Sequence, residues 1–350
     1  MKPLFRRVST WIVLGALGLS CAVLAWTQFD HVFSLIHIPI TVDRQHAQVQ
    51  AQVLASRYHI GPRGSQSAAY FDQDYRFLTY VDYAYGKPTL ARMLHDDIYH
   101  PFVWKVRHFL PRQIHQATFF ILPNGRPYGF EETISDAAPY RNLGEWEALS
   151  LAQQTAARDW DIDWSQYAPL NTERDQAVNG RTDYAFSFRK RQSLIDPMSI
   201  RLVIRVQGNR VTGISPSLHL PEAFEAHYVG LRSTNDLISG LGLGLAFLLY
   251  GVGGLGIGLW YLRVLRVTHW KPALVVAGVL SAVMVAEMLN SWPLQWYFYE
   301  TTQSVVQFYL GFVSDLVVSG LFWMALFSLS FAAGEGVTRV AFPHFISFWK

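Results

Sequence analysis

Residues 237–262 read LISGLGLGLAFLLYGVGGLGIGLWYL, with no charged side chain anywhere in the run. A helix needs about 20 mostly apolar residues to cross the hydrocarbon core of a bilayer, so this stretch can span one. Working outward, further apolar runs follow at 273–289 and 308–333, and another stands near the start at 8–26. A polar stretch, residues 30–235, separates the first run from the rest. The layout predicts a membrane protein of about four transmembrane helices carrying an α+β domain on one side of the bilayer. Residues 1–29 would be an N-terminal anchor and 30–235 the extracytoplasmic domain. Residues 236–350 would hold three spans (237–262, 272–290 and 308–333) and a short tail.

Composition agrees. Apolar residues make up 51% of the 350 and charged residues 16%, against roughly 25% charged in soluble proteins. A net charge of +3, with no basic stripe carrying interleaved aromatics, argues against nucleic acid as a partner. The single Cys21 excludes an internal disulfide framework and reads as a small lipid-facing residue of the first run. That run exceeds the core of a secretory signal and no small-x-small cleavage site follows it, so it reads as an uncleaved anchor.

Orientation follows from Lys and Arg near the span ends. Lys2, Arg6 and Arg7, then Arg263, Arg266 and Lys271, then Arg339 and Lys350 all fall on one side. The opposite loop, 290–307, has none; its Trp292, Trp296, Tyr297 and Tyr299 suit an interfacial belt. Both termini are expected on the inner, cytoplasmic side and residues about 30–235 outside, with the lipid bilayer as first partner.

Within the outer domain, residues 43–58 read as an amphipathic helix with Val49, Val53 and Leu54 recurring near a 3.6 period. Short β-type runs follow at 75–83 and 104–109, then a hairpin, 117–122 with 127–130, around Asn124-Gly125, where both central residues should take positive φ. A second helix over 145–159 carries Leu149, Ala152 and Ala156 on one face, and strands at 182–189 and 200–206 turn at Gly208-Asn209 into 210–214. The stretches 119–126 and 202–210 match in kind, each a β run, a turn with Gly and Asn, then Arg. Two copies of a helix-plus-antiparallel-sheet unit, about 43–135 and 140–220, account for the spacing.

Chemical motifs are sparse. Gly251-Val252-Gly253-Gly254-Leu255-Gly256 fits the dinucleotide fingerprint by letters, but inside an apolar run it reads as helix packing, as do Gly240/Gly244 and Gly254/Gly258. His95-Asp96-Asp97-Ile98-Tyr99-His100 gathers potential metal ligands without a recognised zinc spacing, and reads as a solvated turn. Glu131-Glu132 reads as a solvent-facing pair. Ionisable groups within apolar spans are costly, so Glu287 and Asp315 are candidates for a buried or interfacial polar site. Glu335 and Arg339, four apart on one helix, are candidates for an ion pair.

Several blocks resemble the N-terminal part of bacterial CPBP (CAAX protease and bacteriocin-processing) intramembrane metalloproteases. They are Trp104-Lys105-Val106-Arg107-His108-Phe109-Leu110-Pro111, Arg181-Thr182-Asp183-Tyr184, Leu220-Pro221-Glu222-Ala223-Phe224 with Tyr228, Arg232-Ser233-Thr234-Asn235, and residues 332–339 with Phe342-Pro343-His344. The resemblance spans about residues 43–350. It implies a PepSY- or cystatin-like outer domain followed by a helical membrane enzyme in which Glu and His bind zinc to activate water. The family signature Glu-Glu-x-x-x-Arg is not met, because Gly334 precedes Glu335, and Phe33-x-x-x-His37 fits a later motif by letters only. No catalytic residue carries over, and no cofactor is expected in this chain, though zinc would serve a complete family protein. The expectation is a non-catalytic N-terminal portion of such a protease, with the protease core lost through truncation or gene fragmentation. The rival is a stand-alone membrane-anchored sensor or peptide-binding protein whose outer domain takes a peptide or protein ligand. A transporter is a third reading, resting on Glu287 and Asp315 alone.

Overall fold

Alanine at every fourth position lets two helices lie close on one face of a sheet. Helix α2 (Arg44–Tyr58) buries Ala47 and Ala51, and α5 (Glu145–Trp160) buries Ala148, Ala152 and Ala156. The expected Val49 and Val53 face outward instead, with Leu54 alone of that trio in the core. The two helices also end alike. His59 and Asp161 take left-handed backbone at φ 54° and 52°, and the next N–H, of Ile60 or Ile162, returns 3.1 Å to Ala55 O or Ala156 O. At α2 this is the Schellman return that satisfies last-turn carbonyls, and at α5 it is one residue wider, with the Asp161 and Ile162 N–H groups both closing on Ala156 O. Tyr58 and Trp160 meet at these ends, and Tyr58 Oη donates to Asp159 O at 3.0 Å.

The computed structural model describes residues 8–32, 40–95, 99–137, 141–191, 198–266 and 270–343. Each sheet-bearing half is a helix followed by a four-strand meander. The first comprises α2, β1 (Gln66–Gln73), β2 (Phe102–Phe109), β3 (Gln116–Ile121) and β4 (Pro127–Thr133); the second comprises α5, β5 (Tyr167–Gln176), β6 (Thr182–Lys190), β7 (Ser199–Gln207) and β8 (Arg210–His219). The strands form one antiparallel sheet in the order β1-β2-β3-β4-β8-β7-β6-β5, so the last strands of the two meanders meet at the centre. Phe119, Ile121, Phe130, Phe186, Leu202, Ile204 and Ile214 build the core between this sheet and the two helices.

The first hairpin departs from the expected turn. Only Gly125 has positive φ (+86°), and Gly125 N donates to Leu122 O at 2.8 Å while Leu122 N donates to Arg126 O at 2.9 Å. That is a three-residue loop led by Pro123, with the bulge on its glycine. Residues 75–83 are helical rather than extended, within α3 (Tyr75–Tyr85), and α4 (Lys87–His95) follows. Asp74 accepts from the Arg76 and Phe77 N–H groups and starts α3, while Phe77, Tyr80 and Val81 recur at helical spacing into a second core with Met198, Ile200, Leu220 and Phe224.

Three helices are long and apolar enough to cross a membrane: Glu222–Val264, Trp270–Asn290 and Val305–Ala341. A shorter apolar helical stretch, Ile12–Gln28, lies within α1 (Val8–Val32). The first of the three comprises α6 (Glu222–Ala246), a π-helical stretch over Phe247–Ile257, and α7 (Gly258–Val264). The glycine-rich fingerprint therefore sits in widened helix. Close packing falls elsewhere than Gly240/Gly244, which have no neighbour within 4 Å. It is α8 (Trp270–Asn290) and α10 (Val305–Ala341) that pack along small residues, with Ser281 Oγ donating to Gly320 O at 2.8 Å. A Cβ on Gly336 would stand 2.4 Å from Leu262, so α10 needs glycine there to meet α7.

Candidate functional site: a pocket between the sheet and α6

The face of the sheet opposite α2 and α5 carries the other half of each strand's alternation. Val103 and Lys105 of β2, Glu131 of β4, Val203 and Arg205 of β7 and Ser215 of β8 line a pocket of about 670 Å³. Its far wall is the start of α3 with Asp74, Tyr75 and Arg76, the buried Tyr99, and two residues of α6, Tyr228 and Arg232. The volume lies in the range of small-ligand and short-peptide sites.

Charge in the pocket is of both signs and mostly paired. Lys105 meets Asp72 at 2.7 Å and Arg205 meets Glu131 at 2.8 Å, while Arg76 contacts Glu225 of α6. Tyr99 donates to Asp74 at 2.7 Å; its burial, reinforced by that carboxylate, raises its pKa, so the phenol stays a donor. Arg232 makes no carboxylate contact among the described residues and donates to Tyr228 Oη one turn back, at 3.2 Å. It is exposed, five residues before the uncharged run that opens at Leu237. A ligand in the pocket thus touches the sheet and the first turns of an apolar helix together.

Glu131 and Glu132 part company. Strand alternation sends Glu131 to the pocket and Glu132 to the opposite face, where its buried carboxylate accepts from Gly61 N (2.7 Å) and from the Arg210 guanidinium (2.9 and 3.0 Å), with His115 Nε2 at 2.8 Å. This ties β4 to β8 and does not form a solvent-facing pair. Arg181, fully buried, is held by both Asp183 oxygens (2.8 and 2.9 Å) and donates to Ser135 O at 3.0 Å. Both are structural clasps across the halves.

The loop between α8 and α10, which holds the one-turn helix α9 (Trp292–Gln295), also meets the sheet. Tyr299 is buried against Phe109 and Ala68, Tyr297 and Phe298 pack on Tyr70, and Arg107 donates to Tyr297 O (2.9 Å) and Tyr299 O (2.6 Å). Of the aromatics expected in an interfacial belt, Trp296, Tyr297 and Tyr299 join this loop to β1 and β2, while Trp292 packs on Phe308, Tyr309 and Phe312 of α10.

The four sequence candidates divide. Arg339 Nε lies 2.7 Å from Glu335 Oε1, half-buried on α10. Glu287 and Asp315 are exposed, and neither side chain makes a hydrogen bond or ion pair among the described residues. The 95–100 cluster lies partly outside the described residues, as does the 33–37 match, and no group of three or more His, Cys, Asp or Glu able to hold a metal occurs among the described residues. Comparison with protein-family models, curated proteins and solved structures finds no match.

Sequence reading passed over the pocket. Lys105, Tyr228 and Arg232 fall in the family-like blocks and Glu131 in the acid pair, yet nothing in their spacing announces that they converge from Asp72 to Arg232 along the chain. Alternation within β2 and β7, once their registers are known, would have put their odd-numbered residues on one face.

Proposed function

We propose that this chain is a membrane-anchored binding protein whose sheet domain takes a peptide in the α6 pocket and passes its occupancy to the spans. One observation carries the reading: the pocket wall is made jointly by the sheet and by Tyr228 and Arg232 of α6. Paired charges of both signs alternating with tyrosines suit a peptide, whose backbone and termini need donors and acceptors together. The joint between the α8–α10 loop and β1–β2 gives a second rigid route from domain to helices. In this reading the apolar helices, α1 included, lie in a bacterial inner membrane, both termini are cytoplasmic, and residues 30–235 stand outside, in keeping with the Lys/Arg distribution.

The test is native mass spectrometry of the full chain released from its membrane in detergent. Wild type should carry peptide masses that Val203→Trp, which fills the pocket, lacks while melting normally. Identical adduct patterns on the two proteins would sink the reading.

The sequence blocks that resemble CPBP-type metalloproteases motivate a second placement, as the non-catalytic N-terminal portion of such an enzyme, where the pocket would present or withhold substrate from a zinc centre. Sequencing the gene beyond codon 350 tests it: an open frame with Glu-Glu-x-x-x-Arg and the later histidines supports this placement, and a stop codon with no such sequence removes it.

A further inference from the structure

The same sheet face holds a second arrangement beside the pocket, across β6, β7 and β8. Arg201 of β7 is directly opposite Arg189 of β6 on one side and Ser217 of β8 on the other. Opposed residues of antiparallel strands share a face, and like charges in that position repel. Neither arginine makes a hydrogen bond or ion pair among the described residues, and Glu131, opposite Gly213 farther along the sheet, is held by Arg205. Arg201 Nε is buried without a partner, and so is the hydroxyl of Ser199, two residues along the same face and nine-tenths buried. Orphaned buried donors are uncommon because each forfeits its hydration without recompense. Two unneutralised guanidinium groups, one with its Nε orphaned, together with the orphaned Ser199 hydroxyl, describe a cradle whose missing component is an anion with several acceptor oxygens.

We propose that Arg189, Arg201 and Ser217, backed by Ser199, bind the phosphate of an anionic phospholipid headgroup. The source follows from geometry. Ser217 borders the pocket walled by α6, and the α8–α10 loop packs on this same face at Tyr70, so it is the side of the sheet that the apolar helices approach. This rests on the membrane part of the proposed function and not on a peptide entering the pocket. The bound headgroup would hold the second half of the sheet down on the bilayer surface, as the α8–α10 loop holds the first.

The experiment uses the full chain in zwitterionic detergent, followed by thermal unfolding through tryptophan fluorescence. The probes are short-chain phosphatidylglycerol, short-chain phosphatidylcholine and inorganic phosphate. Phosphatidylglycerol should raise the melting temperature of wild type, and Arg201→Gln should weaken its apparent affinity roughly tenfold or more, the range for a charge-assisted hydrogen bond. Ser217→Ala should weaken it less, and Arg174→Gln, on the exposed β5 edge, should leave it unchanged. Without lipid, Arg201→Gln should melt no lower than wild type, because the like-charge opposition is relieved. Equal phosphatidylglycerol responses from wild type, Arg201→Gln and Ser217→Ala would overturn the site. A lower lipid-free melting temperature for Arg201→Gln with an unchanged lipid response would make the arginine structural. An equal shift from inorganic phosphate would overturn the lipid as source. Peptide masses lost from Val203→Trp alongside a null lipid result would leave the pocket reading standing and remove this one.

Discussion

Asp183 holds the buried Arg181, its two oxygens accepting from Nε and Nη2 along one guanidinium edge and also from the Gln207 amide and Gly208 N–H at 3.2 Å. Removing one partner of a buried pair strands the other charge, at a cost of about 3–5 kcal/mol. Asp183→Ala is therefore expected to lower the urea midpoint sharply, whereas Arg205→Ala, which breaks an exposed pair with Glu131, should cost less than about 1 kcal/mol. His108 makes the complementary case. Its ring is buried against Phe119 with neither nitrogen bonded, and burial drops its pKa to about 4. From pH 6.5 downward the unfolded chain takes up a proton that the folded one refuses. Stability is then lost as pH falls toward 4, by on the order of 3 kcal/mol, and is level above 6.5 as far as this group is concerned. Urea titrations at pH 4.5 and 7 should show that loss shrink in His108→Leu; an unchanged pH slope would place the sensitivity elsewhere.

At the scale of elements, what could be read from sequence was whatever depends on neighbours along the chain. Alternation in 182–189 and 200–206, and glycine at Gly125 and Gly208, give strands and turns because each is set by local sterics. The helix over Tyr75–Tyr85 escaped, since its aromatic and β-branched residues favour strand locally while Asp74 and the core around Phe224 favour helix. Edge strand β5, exposed along nearly all its length, has no buried face to announce it. Pairing between distant strands is equally silent. Gly129 shows why it matters: a Cβ there would stand 2.2 Å from Ile214 O, across the β4–β8 seam. Gly129→Ala is expected to cost about 1–3 kcal/mol and to speed amide exchange in both strands. Protection that stays unchanged in β8 would mean that the seam adjusts without it.

For the whole molecule, the joint at Arg107 decides whether domain and helices move as one. Arg107→Met deletes the donors to two loop carbonyls, each typically contributing about 1 kcal/mol. Amide exchange across residues 297–303 should rise about tenfold while the core of β6 and β7 stays protected. If the loop exchanges as before, the aromatic packing of Tyr299 holds it alone. The candidate site shares the limits of this scale. Its charged pairs are individually ordinary, and only the fold brings Asp72, Glu131, Arg205 and Arg232 around one space.

The sheet order carries a consequence for biosynthesis. Each meander pairs its own strands in chain order, β1 with β2 across α3 and α4, but β4 finds its outer partner only in β8, whose register begins at Phe130↔Ile214. While the second half is still being made, the first can form and leave β4 as a bare edge, open to any strand that fits. The strand that fits best is β8 of another copy of the chain. Crowded synthesis therefore favours exchanged dimers joined through β4 and β8, and the Glu132–Arg210 clasp, which forms equally well between two chains, would hold them together.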